Sequence, residues 1–341
     1  MNSPVDHRIP LPVLLALLLL VSVFALSQGA YNIGWHQLFS AHLSEADWQI
    51  LLQVRLPRLI MALLVGAALA VSGTVMQALF RNPLADPGLL GIASGASVAV
   101  GLLIVLLPAL DTSLIPLPFW AQSYLQSLAA FSGAVLTCLL IFRLAKRQGQ
   151  VSVLHLLLAG IAINALAGAA TGLLTYISDD QQLRALTFWA MGNLGGARWQ
   201  QVAVMATLLM PSLAFLLWQS AKLNVLLLGE EEAGYLGIHV EQLKRKLVVL
   251  TALCVGITVA FAGLIGFVGL MVPHLVRLML GADNRMVMPC ATLLGASLLA
   301  AADTLARLLV IPAELPVGLV TSLLGGPFFL WLLFKSMRGE S

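Results

Sequence analysis

Charge is scarce in this chain, and its densest cluster suits contact rather than bond-making. Glu230, Glu231 and Glu232 stand in a row within LLLGEEEAGYLGIHVEQLKRK, followed by Ala233, by Gly237 and by the run Lys244-Arg245-Lys246. The chemistry open to such a stretch is ionic docking. A short amphipathic helix stopped by a glycine can leave the bilayer and lie in a groove on a soluble partner. Neither its acids nor the basic run beyond it can be buried cheaply in lipid. Asp303 and Arg307 are spaced for an i,i+4 pair on one helix, and Asp303 is the only clear acid at membrane depth. No GxxxxGK[ST] phosphate loop, HExxH, GxSxG or paired intramembrane carboxylate occurs, so neither nucleotide hydrolysis by this chain nor a proton relay is expected. Met76 and His155 are ligand types, but methionines at helical spacing serve packing, and no metal set is expected. Cys138, Cys254 and Cys290 stand singly in apolar segments and read as buried small hydrophobes.

The elements that must position these residues are membrane helices. The 341 residues are 60% hydrophobic and 10% charged, against about 25% charged in soluble domains, and the mean hydropathy is +0.97. Apolar runs of about 20 residues, the length that crosses a bilayer core, recur at 11–29, 58–80, 88–108, 121–142, 152–176, 199–219, 247–271, 288–308 and 314–334. They leave no room for a separate soluble domain, so residues 1–341 are expected to form one all-α, polytopic membrane domain. Continuous runs of this kind do not fit a transmembrane barrel, whose segments alternate over about 10 residues. The net charge of +3 and pI near 8.9 report topology rather than nucleic-acid binding. Residues 11–26 have the outline of a signal peptide, but an uncleaved first helix is expected.

Basic residues gather on the cytoplasmic side of short loops. Arg143-Lys146-Arg147, Lys222 with Lys244-Arg245-Lys246, and Lys335-Arg338 should therefore all face inward, which strict alternation over the runs above does not allow. The window 245–286, interrupted by Gly263, Gly266, Gly269 and Pro273, resolves this if it holds two short helices joined by a glycine turn near 263–266. The result is about ten spans with both termini cytoplasmic. Segments 81–87, 143–151, 220–246 and about 274–287 then face inward, and 30–57, 109–120, 177–198 and 307–313 outward. Arg55, Arg58, Arg184, Arg198 and Arg307 fall on the outer side, against the charge rule, and need another role.

Four stretches carry a resemblance. RLPRLIMALLVGAALAVSGTVMQALFRNPLADPGLLGIASGA (55–96), LLLAGIAINAL (156–166), GFVGLMVPHLVRLMLGADNR (266–285) and AELPVGLVTSLLGGPFFLWLLFK (313–335) resemble the FecCD-type permeases, membrane subunits of ATP-driven importers for ferric siderophores, haem and vitamin B12. The likeness runs nearly the full length, in order. It implies the type II ABC importer permease fold in a bacterial inner membrane. It also implies a homodimer with two cytoplasmic ATPase subunits and a periplasmic binding protein, ATP being used by the partner and no cofactor held here.

The resemblance also assigns residues. Arg55, Arg58 and Arg307 match arginines that dock acids on the binding protein, while Arg184 and Arg198 match less clearly. Asn82 and Leu84 in the turn RNPLAD match an inner gate, and Val153 and Leu154 match its second segment, where the vitamin B12 permease carries small hydroxyl residues. Glu230, Glu231, Glu232, Ala233 and Gly237 match the coupling loop, within segment 220–246, that receives the ATPase stroke, a contact His274–Arg285 is expected to share. Met61, Met76 and Gln77 are expected to line the translocation path. The stretches LTFWAMGNLGGARW and IPAELPVGLVTSLLGGPFFLWLL look most like haem permeases, which makes haem the expected cargo, ferric siderophore the alternative and cobalamin the third. An ATP-independent secondary transporter would instead show membrane-depth carboxylates and broken inverted-repeat helices, and a membrane scaffold would leave the gate-like turns without a role.

Overall fold

The computed structural model describes residues 10–29, 31, 34, 43–106, 119–147, 150–311 and 313–337. Arg338 and nearly all of the expected outer segment 109–120 lie outside the described residues. In chain order the main elements are α1 (Pro10–Ser27), α2 (Leu56–Leu79), α3 (Ile92–Leu106), α4 (Phe119–Leu144), a hairpin of β1 (Lys146–Arg147) and β2 (Gln150–Val151), α5 (Val153–Ile177), α6 (Asp180–Ala190), α7 (Trp199–Trp218), α8 (Ser220–Leu228), α9 (Glu230–Tyr235), α10 (Val240–Ala262), α11 (Val268–Leu280), α12 (Asn284–Leu308) and α13 (Val317–Met337). A short helix, Glu45–Gln49, and a π-helical turn, Ile50–Arg55, lead into α2.

Local chemistry sets several starts. Ser44 and Asp47 form a reciprocal capping box ahead of α2, Asp179 and Gln182 form another at α6, and the Asp283 carboxylate accepts from the Arg285 N–H at 2.9 Å to open α12. Among the described residues seven helices are long and apolar enough to cross a bilayer, and three more, Leu11–Ser27, Ile92–Leu106 and Val268–Leu280, are apolar but shorter. The count of about ten spans therefore depends on those three.

The window 245–286 breaks where expected and divides unequally. Gly263 caps α10 at φ +70°, a conformation other residues reach only with strain, and coil runs to Phe267. Of the two resulting helices, α10 is full-length at 23 residues and α11 has only 13, about 20 Å of helix at 1.5 Å per residue. The segment 274–287, expected to face inward, is mostly helical. His274 to Leu280 continue α11 and Arg285 lies in the first turn of α12, leaving Gly281 to Asp283 as the connection. Pro273, the sixth residue of α11, forfeits the bond to the Gly269 carbonyl without ending the helix, which the apolar sequence on either side carries on to Leu280.

The chain forms two compact units. The first comprises residues 1–74, 193–221 and 265–341. Its packing centres on α2, whose glycines admit neighbouring backbones. A Cβ on Gly66 would lie 2.2 Å from the Gly295 carbonyl oxygen of α12, and one on Gly73 would lie 1.6 Å from that of Gly269 in α11. The second unit comprises residues 75–192 and 222–264. There Gly95 of α3 meets Gly133 of α4 across a similar gap, and Gly160 of α5 lies against the Leu89 carbonyl. Such approaches are how helices associate where lipid removes most of the hydrophobic drive between them.

Gly73→Ala is expected to lower the thermal unfolding midpoint in detergent by several degrees, since overpacking costs about 1–3 kcal/mol. Gly172→Ala, with nothing within 4 Å of the added methyl, is expected to leave the midpoint unchanged or raise it, alanine being favoured in a helix by about 0.5–1 kcal/mol. Equal effects of the two would show that the α2–α11 contact is not tight.

Candidate coupling and gate site

The acidic run folds as α9, a helix of 6 residues. Its end is a Schellman motif: the Ile238 N–H donates to the Ala233 carbonyl at 3.0 Å, the Gly237 N–H to that of Gly234 at 3.0 Å, and Gly237 takes φ +81°. Ala233 is fully buried under the helix, while Glu231, Glu232 and Gly237 are exposed. Tyr235 and Leu236, which sequence reasoning did not single out, are 88% and 63% exposed at the tip. An exposed apolar pair beside a row of acids is the kind of surface a partner would cover. The signal was present in the spacing, the pair lying just before the stop glycine.

The turn RNPLAD is built in the same way. At the end of α2 the Asn82 N–H donates to the Gln77 carbonyl at 3.1 Å and the Arg81 N–H to that of Ala78 at 3.3 Å, with Arg81 at φ +48°. A second Schellman motif thus closes on a non-glycine residue. The Asn82 side chain accepts from the Leu84 N–H at 2.9 Å, and Asp86 accepts from the Gly88 N–H at 2.7 Å. Burial pushes the Asp86 carboxyl above the usual carboxylate range, against the pull of that N–H. Asn82 is exposed and Leu84 is 56% exposed at the turn's tip.

Val153 and Leu154 open α5, immediately after the β1–β2 hairpin and the N-cap Ser152. Leu154 is 63% exposed, Val153 half-buried. Both expected gate segments and the expected coupling helix therefore belong to the second unit. A residue missed at the sequence level joins them there. Lys244, which the sequence shows only as one of the basic run Lys244-Arg245-Lys246, is 2% exposed. Its ammonium donates to the Val151 carbonyl at 2.9 Å and pairs with Glu230 at 2.8 Å and Glu241 at 2.7 Å. The Val151 N–H donates to the other oxygen of Glu241 at 2.9 Å.

Arg55, Arg58 and Arg307 lie in the first unit and are not free rim charges. Arg58 is 6% exposed. Its Nε and Nη2 donate to both oxygens of Asp303 at 2.9–3.0 Å, and its Nη1 donates to both oxygens of Glu314 at 2.8 and 3.0 Å. Asp303 is thus held chiefly by Arg58, and its i,i+4 contact with Arg307 is looser at 3.4 Å. Arg55 donates to the carbonyls of Leu26, Ser27 and Tyr31, and Arg307 to those of Ala25 and Gln28. Two guanidiniums therefore satisfy the last carbonyls of α1, where a cation also complements the helix dipole. Together these arginines, Tyr31 and Glu314 line a cavity of about 170 Å³. Arg184 and Arg198 are exposed.

Met61, Met76 and Gln77, the expected lining residues, are at most 2% exposed in this structure and pack into the interior of the chain. A helix face of small and apolar residues suits a pore or a neighbour equally, and here the neighbours occupy it. Among the described residues no three His, Cys, Asp or Glu side chains gather as a metal set, and Cys138, Cys254 and Cys290 are buried thiols.

Known proteins resemble this chain along its whole length. The sequence pattern of the FecCD transport family matches residues 17–335. A hemin transport system permease protein of Yersinia pestis is 51% identical over 341 residues, all of both chains. A vitamin B12 import system permease protein of Vibrio parahaemolyticus is 44% identical over 294 residues, 86% of this chain and 85% of its own. A solved structure assigned to the metal-chelate type of ABC transporter, in an inward-facing conformation, superposes with a TM-score of 0.84 at 33% identity, covering 95% of this chain and 98% of that one. The fold is thus that of an ABC transporter permease, and the chain belongs to the FecCD transport family.

Proposed function

We propose that this chain is the membrane permease of an ATP-driven haem importer, working as a homodimer with two cytoplasmic ATPase subunits and a periplasmic binding protein. The observation that carries the reading is the 51% identity to the hemin permease over the whole of both chains, against 44% over a shorter stretch for the vitamin B12 relative. Val153 and Leu154 support it. A pair of branched aliphatic side chains at the start of α5 makes an apolar closure, suited to a flat, largely apolar cargo.

The work of hydrolysis belongs to the partner. Glu230, Glu231, Glu232, Ala233 and Gly237 form the docking helix, with Tyr235 and Leu236 as its apolar contact, and the stroke reaches the gate residues Asn82, Leu84, Val153 and Leu154. A second copy and lipid cover faces that the chain leaves open, such as α5, of whose most apolar window only 17% is buried. Arg55, Arg58 and Arg307 serve the binding protein by holding the rim in shape, because their guanidiniums already face intrachain acceptors. Exposed groups such as Arg198 supply its long-range attraction, which salt screens.

The deciding experiment reconstitutes the chain with its ATPase and binding protein in liposomes, comparing haem-loaded, siderophore-loaded, cobalamin-loaded and empty binding protein. Haem accumulation with stimulated hydrolysis is expected. Accumulation of another chelate would overturn the cargo, and failure of any ATPase to associate would overturn the importer.

Arg58→Leu leaves Asp303 buried without its main cation, a loss of about 3–5 kcal/mol. Its detergent-solubilised midpoint is expected to fall sharply, whereas Arg198→Ala is expected to keep the midpoint and slow binding-protein association at low salt. A stable Arg58→Leu with weakened docking would return Arg58 to direct contact. Gly237→Val forces a branched residue into a left-handed turn, at about 1–2 kcal/mol. It is expected to fold and to lose uptake, with Gly237→Asn closer to wild type. Full uptake by Gly237→Val would remove α9 from coupling.

A further inference from the structure

Lys244 is a buried cation in a segment where Glu231, Glu232, Arg245 and Lys246 are exposed. Its stem crosses from the first turns of α10 to a point where three separate pieces of chain converge. Glu230 is the first residue of α9, the proposed docking helix. Val151 is the last residue of the β1–β2 hairpin, two positions before the gate helix α5 begins. Glu241 lies one turn before Lys244 and takes hold of the hairpin a second time, accepting from the Val151 N–H.

All four contacts lie between 2.7 and 2.9 Å. The hairpin's last peptide is thus gripped at both its carbonyl and its amide, and the same ammonium holds the docking helix. Charge-assisted bonds of this kind are the stronger class, and a lysine withdrawn from water keeps its charge only when acceptors surround it. An ordinary solvated loop needs none of this.

From this geometry we infer that Lys244, with Glu241, is a positioning strut that carries displacement of the docking helix to the gate segment at the start of α5. Movement of Glu230 pulls the ammonium, and the ammonium pulls Val151. Arg245 and Lys246, which project to solvent, take no part. The inference rests on α9 being the ATPase contact.

The test uses the full permease co-purified with its ATPase subunits and carrying His155→Cys, an exposed position beside the gate pair, as a reporter; the native thiols are buried. The rate of labelling by a membrane-impermeant maleimide is compared with and without ATP and vanadate, alongside ATPase co-purification and hydrolysis. In the otherwise wild-type protein the labelling rate is expected to change several-fold on nucleotide trapping. Lys244→Met keeps the apolar stem, and the two acids, each more than a third exposed, can hydrate. It is expected to retain ATPase binding and hydrolysis while the labelling response shrinks about tenfold, within the range of site-to-site coupling. Glu241→Ala, which removes the second hold on the hairpin and lies outside the docking helix, is expected to act in the same direction, and Lys244→Arg to restore much of the response.

A full labelling response in Lys244→Met and Glu241→Ala would overturn the strut and leave the docking reading standing. Loss of ATPase binding by both variants would make Lys244 a docking support and also overturn it. No response in the wild-type background despite hydrolysis would leave the strut nothing to transmit, and no ATPase association at all would overturn the docking reading and the inference together.

Discussion

An ionised side chain taken out of water must be given a full set of partners by the protein, or the fold loses several kcal/mol at that point. In a chain with only 10% charged residues, the places where this happens are few, and each ties together segments far apart in sequence. Arg58 reaches Asp303 across 245 positions, and Lys244 reaches Val151 across 93. Arg55 and Arg307 converge on the carbonyl end of α1. Hydrophobic burial alone would let helices slide past one another, since lipid is as apolar as leucine. The buried cations fix register as well as contact.

The glycine contacts complement this. Where Gly66 meets Gly295 and Gly73 meets Gly269, backbones approach so closely that neither helix can shift along the other without collision. The first unit is thereby held by close packing along α2 and by ionic contacts at its arginine end. The second unit combines a similar close contact at Gly95 and Gly133 with turns that protrude. The two Schellman-capped turns, at Arg81 and at Gly237, are set by local hydrogen bonds and so keep their shape while exposed.

Much of this was legible in the sequence because it follows from local rules. Hydropathy gave the membrane class and the main helices, the glycines of 263–266 gave the break between α10 and α11, and RNPLAD and the stop at Gly237 read as turns. What could not be read was partnership. A sequence displays that Arg58, Asp303 and Lys244 are charged, but not that their acceptors arrive from distant helices. Lys244 sits in a basic triplet whose other two members do reach solvent, so its burial has no local signature. The burial of Met76 and Gln77 is hidden for a related reason: helical periodicity marks a face without saying whether water, lipid or another helix meets it. The unequal division of 245–286 depends on how far α11 runs, which periodicity leaves open in a stretch apolar throughout.

The spacing of Arg58 and Asp303 also has a consequence for how the protein is made. At a synthesis rate of about 5–20 residues per second, Asp303 emerges roughly 12–50 seconds after Arg58. Through that interval the guanidinium lacks the two carboxylates that hold it in the folded chain, and a charge left in hydrocarbon in that state would be costly. The N-terminal helices therefore enter the membrane as an unfinished half, and the first unit closes only when the last two helices are delivered.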